Sequence, residues 1–314
     1  MQVGRACTRP ASRRRADWCA VGALALGVAA LAPAAACAAG AASAPNEATG
    51  LVLESAIELS GRPIGRPVAI AAGPLGGVYL ADAARGNVLR FDAVGTILFE
   101  FESPQGQPGL QPLDIAVTGF KVYVLDAQSS ALLRYSDEGS FLDVLRSFEP
   151  GRGELPQSLA VDTTGRVLLC QSSLHQVSLL DQSHRVEAVV GGFGSRPGDL
   201  SRPLGVAFAS DGTFYVADTG NRRIERFTAV GNFIAAFADS LAEPRGLDVA
   251  GTGELCVADP RRRSVHLFGP TGVHRAELVF DRFEPIDVAL VGDTLWVLSA
   301  SPPALLRVRV LRGG

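Results

Sequence analysis

Cysteine is nearly absent from the body of this sequence: of five in 314 residues, only Cys170 and Cys256 lie beyond residue 37. A disulfide framework is thereby excluded, and the fold must hold by its core. Charge is sparse too, with 19% charged residues against 47% apolar ones. Long apolar stretches of 3.6-residue period are missing, which argues against a helical architecture. No G-x-S-x-G occurs, so the elbow that presents a serine nucleophile in α/β-hydrolases is absent. "GFGSRPG", Gly192 to Gly198, has the composition of a phosphate loop, but its spacing is wrong and no helical pattern follows. What is plentiful is Gly (35) and Pro (19), the composition of an all-β chain with many turns. Its length would fit one large domain or two ordinary ones.

The chain opens with Arg5, Arg9 and Arg13 to Arg15, followed by an apolar run from Trp18 to Ala32 and a string of small residues after Pro33. That layout predicts an export signal over 1–36 and an extracytoplasmic protein: periplasmic, secreted or lipid-anchored at a bacterial envelope. The apolar run is shorter than the roughly 20 residues that span a bilayer. Cys37 follows Ala34-Ala35-Ala36, which resembles a lipobox with Ala in place of Leu, so lipidation at Cys37 stands beside simple cleavage. Residues 37–50, rich in Ala, Gly and Ser, read as a flexible linker. Removing residues 1–36 takes five Arg and one Asp from the 29 basic and 32 acidic residues, which leaves a domain of net charge about −7. An acidic domain argues against nucleic acid, and the expected membrane contact is only through an N-terminal lipid.

Six segments begin at Pro67, Pro112, Pro156, Pro203, Pro244 and Pro285. Each is followed 14 or 15 residues later by Asp82, Asp126, Gln171, Asp218, Asp259 or Ser299, and nine residues after that by Phe91, Tyr135, Leu180, Phe227, Phe268 or Val308. Within a unit, apolar stretches and Gly-rich turns alternate as four short strands. A unit of that size cannot bury both faces alone, so the repeat predicts an all-β, six-bladed β-propeller of four-stranded antiparallel blades over 51–314. The last unit has three strands, and the unpaired "LVLESAIEL", Leu51 to Leu59, should complete it. Closure of that kind removes open sheet edges, and a monomer is expected.

"GVAFASDGTFYVADTGNRRIERFTAVGNFIAAF", residues 205–237, resembles an NHL repeat, and "FGSRPGDLSRP" before it resembles that family's linker. The likeness covers about residues 51–311 and is weakest in the units that carry Gln171 and Ser299. Some NHL-type propellers are lyases that hold a metal with His near the starts of blades. Here those positions are Arg66, Gln111, Leu155, Arg202, Glu243 and Glu284, with no His among them. RNA binding, known for other members, is opposed by the acidic balance and the export signal. The related gluconolactonase-like hydrolases use a Glu, Asn and Asp metal site, which Glu243, Glu284 and Asp287 echo in part.

The residues themselves leave two candidate sites. Ala69, Asp114, Ser158, Gly205, Gly246 and Asp287, two past each Pro, should ring the channel, with Asp114, Ser158, Glu243, Glu284 and Asp287 at its mouth. Calcium is the one cofactor those carboxylates leave open, against the reading in which each Asp accepts inner-strand amides. On the face that gathers the loops between strands two and three, Arg202, Arg222, Arg223, Arg245, Arg261, Arg262 and Arg263 form a basic patch suited to carboxylates. Of the four histidines only His175 falls on that face. The expectation is a non-catalytic binding or scaffold propeller that recognises a protein, peptide or acidic glycan. The alternative is a metal-dependent lactonase or lyase working through the channel-mouth carboxylates.

Overall fold

The chain divides into two units, Met1–Ala44 and Pro45–Gly314. The computed structural model describes residues 50–104, 109–149, 154–237 and 241–312. The expected export signal, most of the linker and Cys37 lie outside the described residues. Among those described, no helix is long and apolar enough to cross a membrane.

The described part is a six-bladed β-propeller of six four-stranded sheets. Blade four shows the plan, with strands Gly205–Phe208, Phe214–Asp218, Arg223–Phe227 and Phe233–Phe237 running antiparallel from the axis outward. One row across it reads Gly205, Ala217, Ile224, Phe237. The sixth blade joins the two ends of the chain: Gly50–Glu58 pairs antiparallel with Pro303–Leu311, outside Thr294–Ala300 and Pro285–Val291.

Burial explains the sequence pattern strand by strand. The second and third strands lie between neighbouring blades, so both their faces are covered. Val78–Asp82, Phe214–Asp218 and Leu255–Asp259 are buried at every residue, which is why these strands read as continuous apolar runs rather than alternating ones. Outer strands such as His274–Val279 alternate between half-buried and exposed, since one of their faces meets water. The core is accordingly six layers, one in each gap between blades. Phe214, Phe227 and Val216 of blade four meet Leu168, Cys170 and Leu179 of blade three, for example, while Trp296 and Leu298 of blade six meet Leu80 and Phe91 of blade one. Cys170 and Cys256 are free thiols within these layers.

In blades one, three, four and five the nine-residue offset is the length of a loop plus the third strand. The end residues of the offset in all six blades, Phe91, Tyr135, Leu180, Phe227, Phe268 and Val308, are shielded from water. In blades one to five each of them follows a register shift against the outer strand.

The repeated Asp ends the second strand and fastens the loop face. Asp82 takes the Arg66 amide at 2.8 Å and the Ala84 amide at 2.9 Å, besides that of Gly65. Asp126 does the same for Gln111 and Ser129, and Asp259 for Ala242, Glu243 and Arg262. One carboxylate thus ties the linker entering a blade to the loop after its second strand. Gln171 and Ser299 do this with neutral groups: Gln171 donates to the Glu154 carbonyl at 3.0 Å, and Ser299 accepts the Glu284 amide at 3.0 Å.

Candidate functional site

The inner strands enclose a channel of about 160 Å³. Its ring is crowded: a Cβ added at Gly205 would strike the Arg245 carbonyl, and one at Gly246 would strike Asp287. Asp114, Ser158 and Asp287 line the channel as expected, together with a third carboxylate, Asp248. Asp248 lies two residues beyond Gly246, on the same face of the inner strand. The two-residue strand period could have found it.

Each channel carboxylate spends both oxygens on backbone amides. One oxygen takes the amide of the next residue, Ile115, Val249 or Val288. The other crosses to the following blade. Asp114 takes Leu159 at 2.7 Å, Asp287 takes Ile70 at 2.8 Å, and Asp248 takes Leu290 at 2.6 Å. These side chains are half-exposed to the lumen, yet the lumen lies at the centre of the molecule. Burial there pushes Asp114 and Asp248 up to about 6, against the pull of their amide bonds. Asp287 is also raised by burial and, next, by the charge of Asp114.

Two residues expected at the channel mouth are elsewhere. Glu243 lines a different cavity. Glu284 lines neither; its backbone amide is held by Ser299 and the Ser301 carbonyl at the far side of the linker. Among the described residues no group of three His, Cys, Asp or Glu is placed to hold a metal ion.

The second cavity opens on the loop face, between blades three, four and five, with a volume of about 490 Å³. Arg202, Arg222 and Arg261 line it with His175, Ser172, Ser173, Thr219 and Glu243. None of the three guanidiniums has an ion pair or hydrogen bond to a described residue. His175 and Arg222 hold one structural slot, the fourth residue after the repeated polar position, with φ of 55° and 57°. Gly86 fills this slot in blade one at φ 72°, the residue that left-handed backbone favours. Placing His and Arg there costs about 1 kcal/mol each. Arg202, at φ 46°, makes a third such residue on the cavity wall, and its amide donates to Nδ1 of His175 at 2.9 Å. The neutral imidazole therefore carries its proton on Nε2.

The other arginines of the expected patch are occupied or apart. Arg223 is a structural clamp: its guanidinium bonds Asp218 and Glu225, each at 2.8 Å, and the carbonyls of Ser195, Arg196 and Asp199. Its guanidinium is thus engaged within the blade and its linker, away from the cavity where the basic patch was expected to bind. Arg262 pairs with Glu277 at 3.3 Å, and Arg263 donates to the Asp281 carbonyl. Arg245 lines neither cavity.

Two of the histidines meet in blade five, which spacing alone did not suggest. Nδ1 of His266 lies 3.1 Å from Nε2 of His274, because the outer strand folds back beside the third. His266 is fully buried, and burial lowers it to about 4. With Ser264 at its other nitrogen, it is a neutral member of a core network.

Residues 200–227 match the NHL repeat. No curated protein matches the chain. Among solved structures, a streptogramin B lyase is similar over 83% of this chain and 98% of its own, at 12% identity and a TM-score of 0.66. A gluconolactonase from Xanthomonas campestris is similar over 86% of this chain and 99% of its own, at 16% identity and a TM-score of 0.61. Regucalcin from Agrobacterium tumefaciens, described as a calcium-binding protein, is similar over 85% and 98%, at 16% identity and a TM-score of 0.61. At these identities the likeness is one of fold. The chain is a six-bladed β-propeller whose fourth blade, with the linker leading into it, carries an NHL repeat.

Proposed function

We propose that this protein is an exported, non-catalytic binding propeller that takes the carboxylate of a protein, peptide or acidic glycan in its loop-face cavity. The observation that carries the reading is the set of three arginines, Arg202, Arg222 and Arg261, that line one cavity with no anionic partner among the described residues. A domain of net charge about −7 has carboxylates to spare, and several of its arginines are paired, as Arg134, Arg166, Arg226 and Arg275 show. Three unpaired guanidiniums on one concave wall repel one another, and an anionic ligand would relieve that repulsion. Guanidinium offers a fork of donors that fits a carboxylate.

Calorimetric titration of a glutamate-containing peptide and an acidic oligosaccharide tests this. Arg202→Gln or Arg261→Gln should each weaken binding about tenfold or more, since hydrogen bonds to charged groups contribute about 1.5–3 kcal/mol. Absence of binding to every acidic ligand at low salt would overturn the reading.

A second reading, a metal-dependent lactonase or lyase, is favoured by the company the fold keeps: its structural neighbours include a lyase, a gluconolactonase and a calcium-binding protein. Asp114, Asp248 and Asp287 are the carboxylates a channel ion would meet. Their six oxygens each already accept a backbone amide, so a calcium ion would have to share all of them. Stoichiometric calcium in the purified protein, lost in Asp114→Ala or Asp287→Ala, would favour this reading over the first.

A further inference from the structure

We infer that the group this cavity takes is the free C-terminus of a peptide whose last side chain is apolar. The inference rests on the binding reading above and adds the ligand's class.

Phe193 supplies the first reason. It stands in the linker between blades three and four with 79% of its surface exposed, its ring 4.9 Å from that of His175 in the cavity wall. The ring is held out in water on a fixed base. Asn221 binds the Gly194 carbonyl at 2.8 Å, and Arg223 binds the carbonyls of Ser195, Arg196 and Asp199. Leu174, beside the wall residues Ser173 and His175, is a second exposed apolar side chain at 36%. An apolar group fixed at the edge of a cationic cavity suits a ligand that joins an acid to an apolar part.

Glu243 supplies the second. It shares the cavity with the three arginines, yet its side chain pairs with no described residue. A carboxylate accepts only, so a ligand that fills the cavity suits it best with a donor as well as an acid. A peptide C-terminus has all three features on one residue: the carboxylate, the amide N–H and the side chain between them. An acidic glycan brings acid and hydroxyls without the apolar part. An acidic protein surface brings several carboxylates, which Glu243 would repel.

The test titrates the full chain with N-acetyl-Ala-Phe acid, the same peptide as its C-terminal amide, N-acetyl-Ala-Gly acid and sodium sulfate. The Phe acid should bind best, with the amide at least tenfold weaker. Phe193→Ala should weaken the Phe acid about five- to tenfold and leave the Gly acid unchanged. Phe193 packs little of its surface, so this variant should keep the wild-type melting temperature. Sulfate or glutamate peptides binding through Arg202 and Arg261, with no preference for Phe acid over Gly acid, would overturn the inference and leave the anion cavity standing. Equal binding of acid and amide would overturn it likewise. No binding of any anion would sink both.

Discussion

Replacing Glu225 by Gln should make the protein more stable at pH 8 and only slightly so at pH 5. Glu225 lies on the third strand of blade four and has no surface exposed to water. One carboxyl oxygen receives the Gly198 amide at 3.2 Å and an Arg223 N–H at 2.8 Å; the other is buried with no partner. Burial raises its pKa from 4.5 to about 7. Arg223 pulls in the opposite direction, but it divides its donors among Asp218, Glu225 and three carbonyls, so burial prevails. A raised carboxyl pKa means that the folded state holds the proton more tightly than the unfolded chain. The associated stability is present below pH 4.5 and is lost as pH rises through 7. At 1.36 kcal/mol per pH unit, the loss is about 3 kcal/mol. For a domain of this size that corresponds to a melting temperature lower by about 6–12 °C. Asp114 and Asp248, each pushed up to about 6, add a dependence of the same sign, so wild type and variant must be compared at each pH. Urea unfolding at pH 5 and pH 8 is the assay. The neutral acid and the amide have similar shapes, and at pH 5, just above the unfolded value, the variant should be ahead by only about 1 kcal/mol. At pH 8 the variant should be ahead by about 3 kcal/mol. A difference that is the same at both pH values would refute the argument that Glu225 titrates inside the fold.

Two further outcomes follow from the closure and the core. A chain lacking residues 1–58 should associate more readily than the full chain, because Pro303–Leu311 would become an open edge next to a buried layer, and light scattering would report the association. A monomer with wild-type melting would count against closure as a source of stability. Cys170 and Cys256 have no exposed surface, and burial raises both thiols well above their ordinary range, so a thiol-reactive probe should label neither until denaturant is added. Rapid labelling of the native protein would show that the layers between blades open readily.

The fold was legible because every blade solves the same problem. A four-stranded sheet buried on both faces needs continuous apolar second and third strands, a polar group where the second strand ends, and a large residue at the far end of the third. Six copies of that requirement put Pro, a polar residue and a large apolar or aromatic one at nearly fixed offsets, as in Pro203, Asp218 and Phe227. The reason for the Asp was less visible. Its partners include amides 16 or 17 residues earlier, Gly65 and Arg66 for Asp82, and only the closed blade brings these together.

The site was legible in its residue types and not in its grouping. Arg202, Arg222 and Arg223 lie within 22 residues of one another and look alike in sequence. Two of them face a cavity, and the third is enclosed by Asp218, Glu225 and the linker. The difference is one of backbone. Arg222 occupies the left-handed slot after the short turn Thr219–Asn221, which points it away from the blade, whereas Arg223 begins the third strand and lies across it. Sequence spacing counts residues and misses that reversal of direction. Comparing the slot across blades recovers part of it. Gly86, Ser130, His175, Arg222 and Arg263 all have positive φ, and only glycine adopts that backbone without strain. The slot is left-handed whichever residue fills it, so it belongs to the repeat, and His175 and Arg222 are the two of its residues that the cavity gathers.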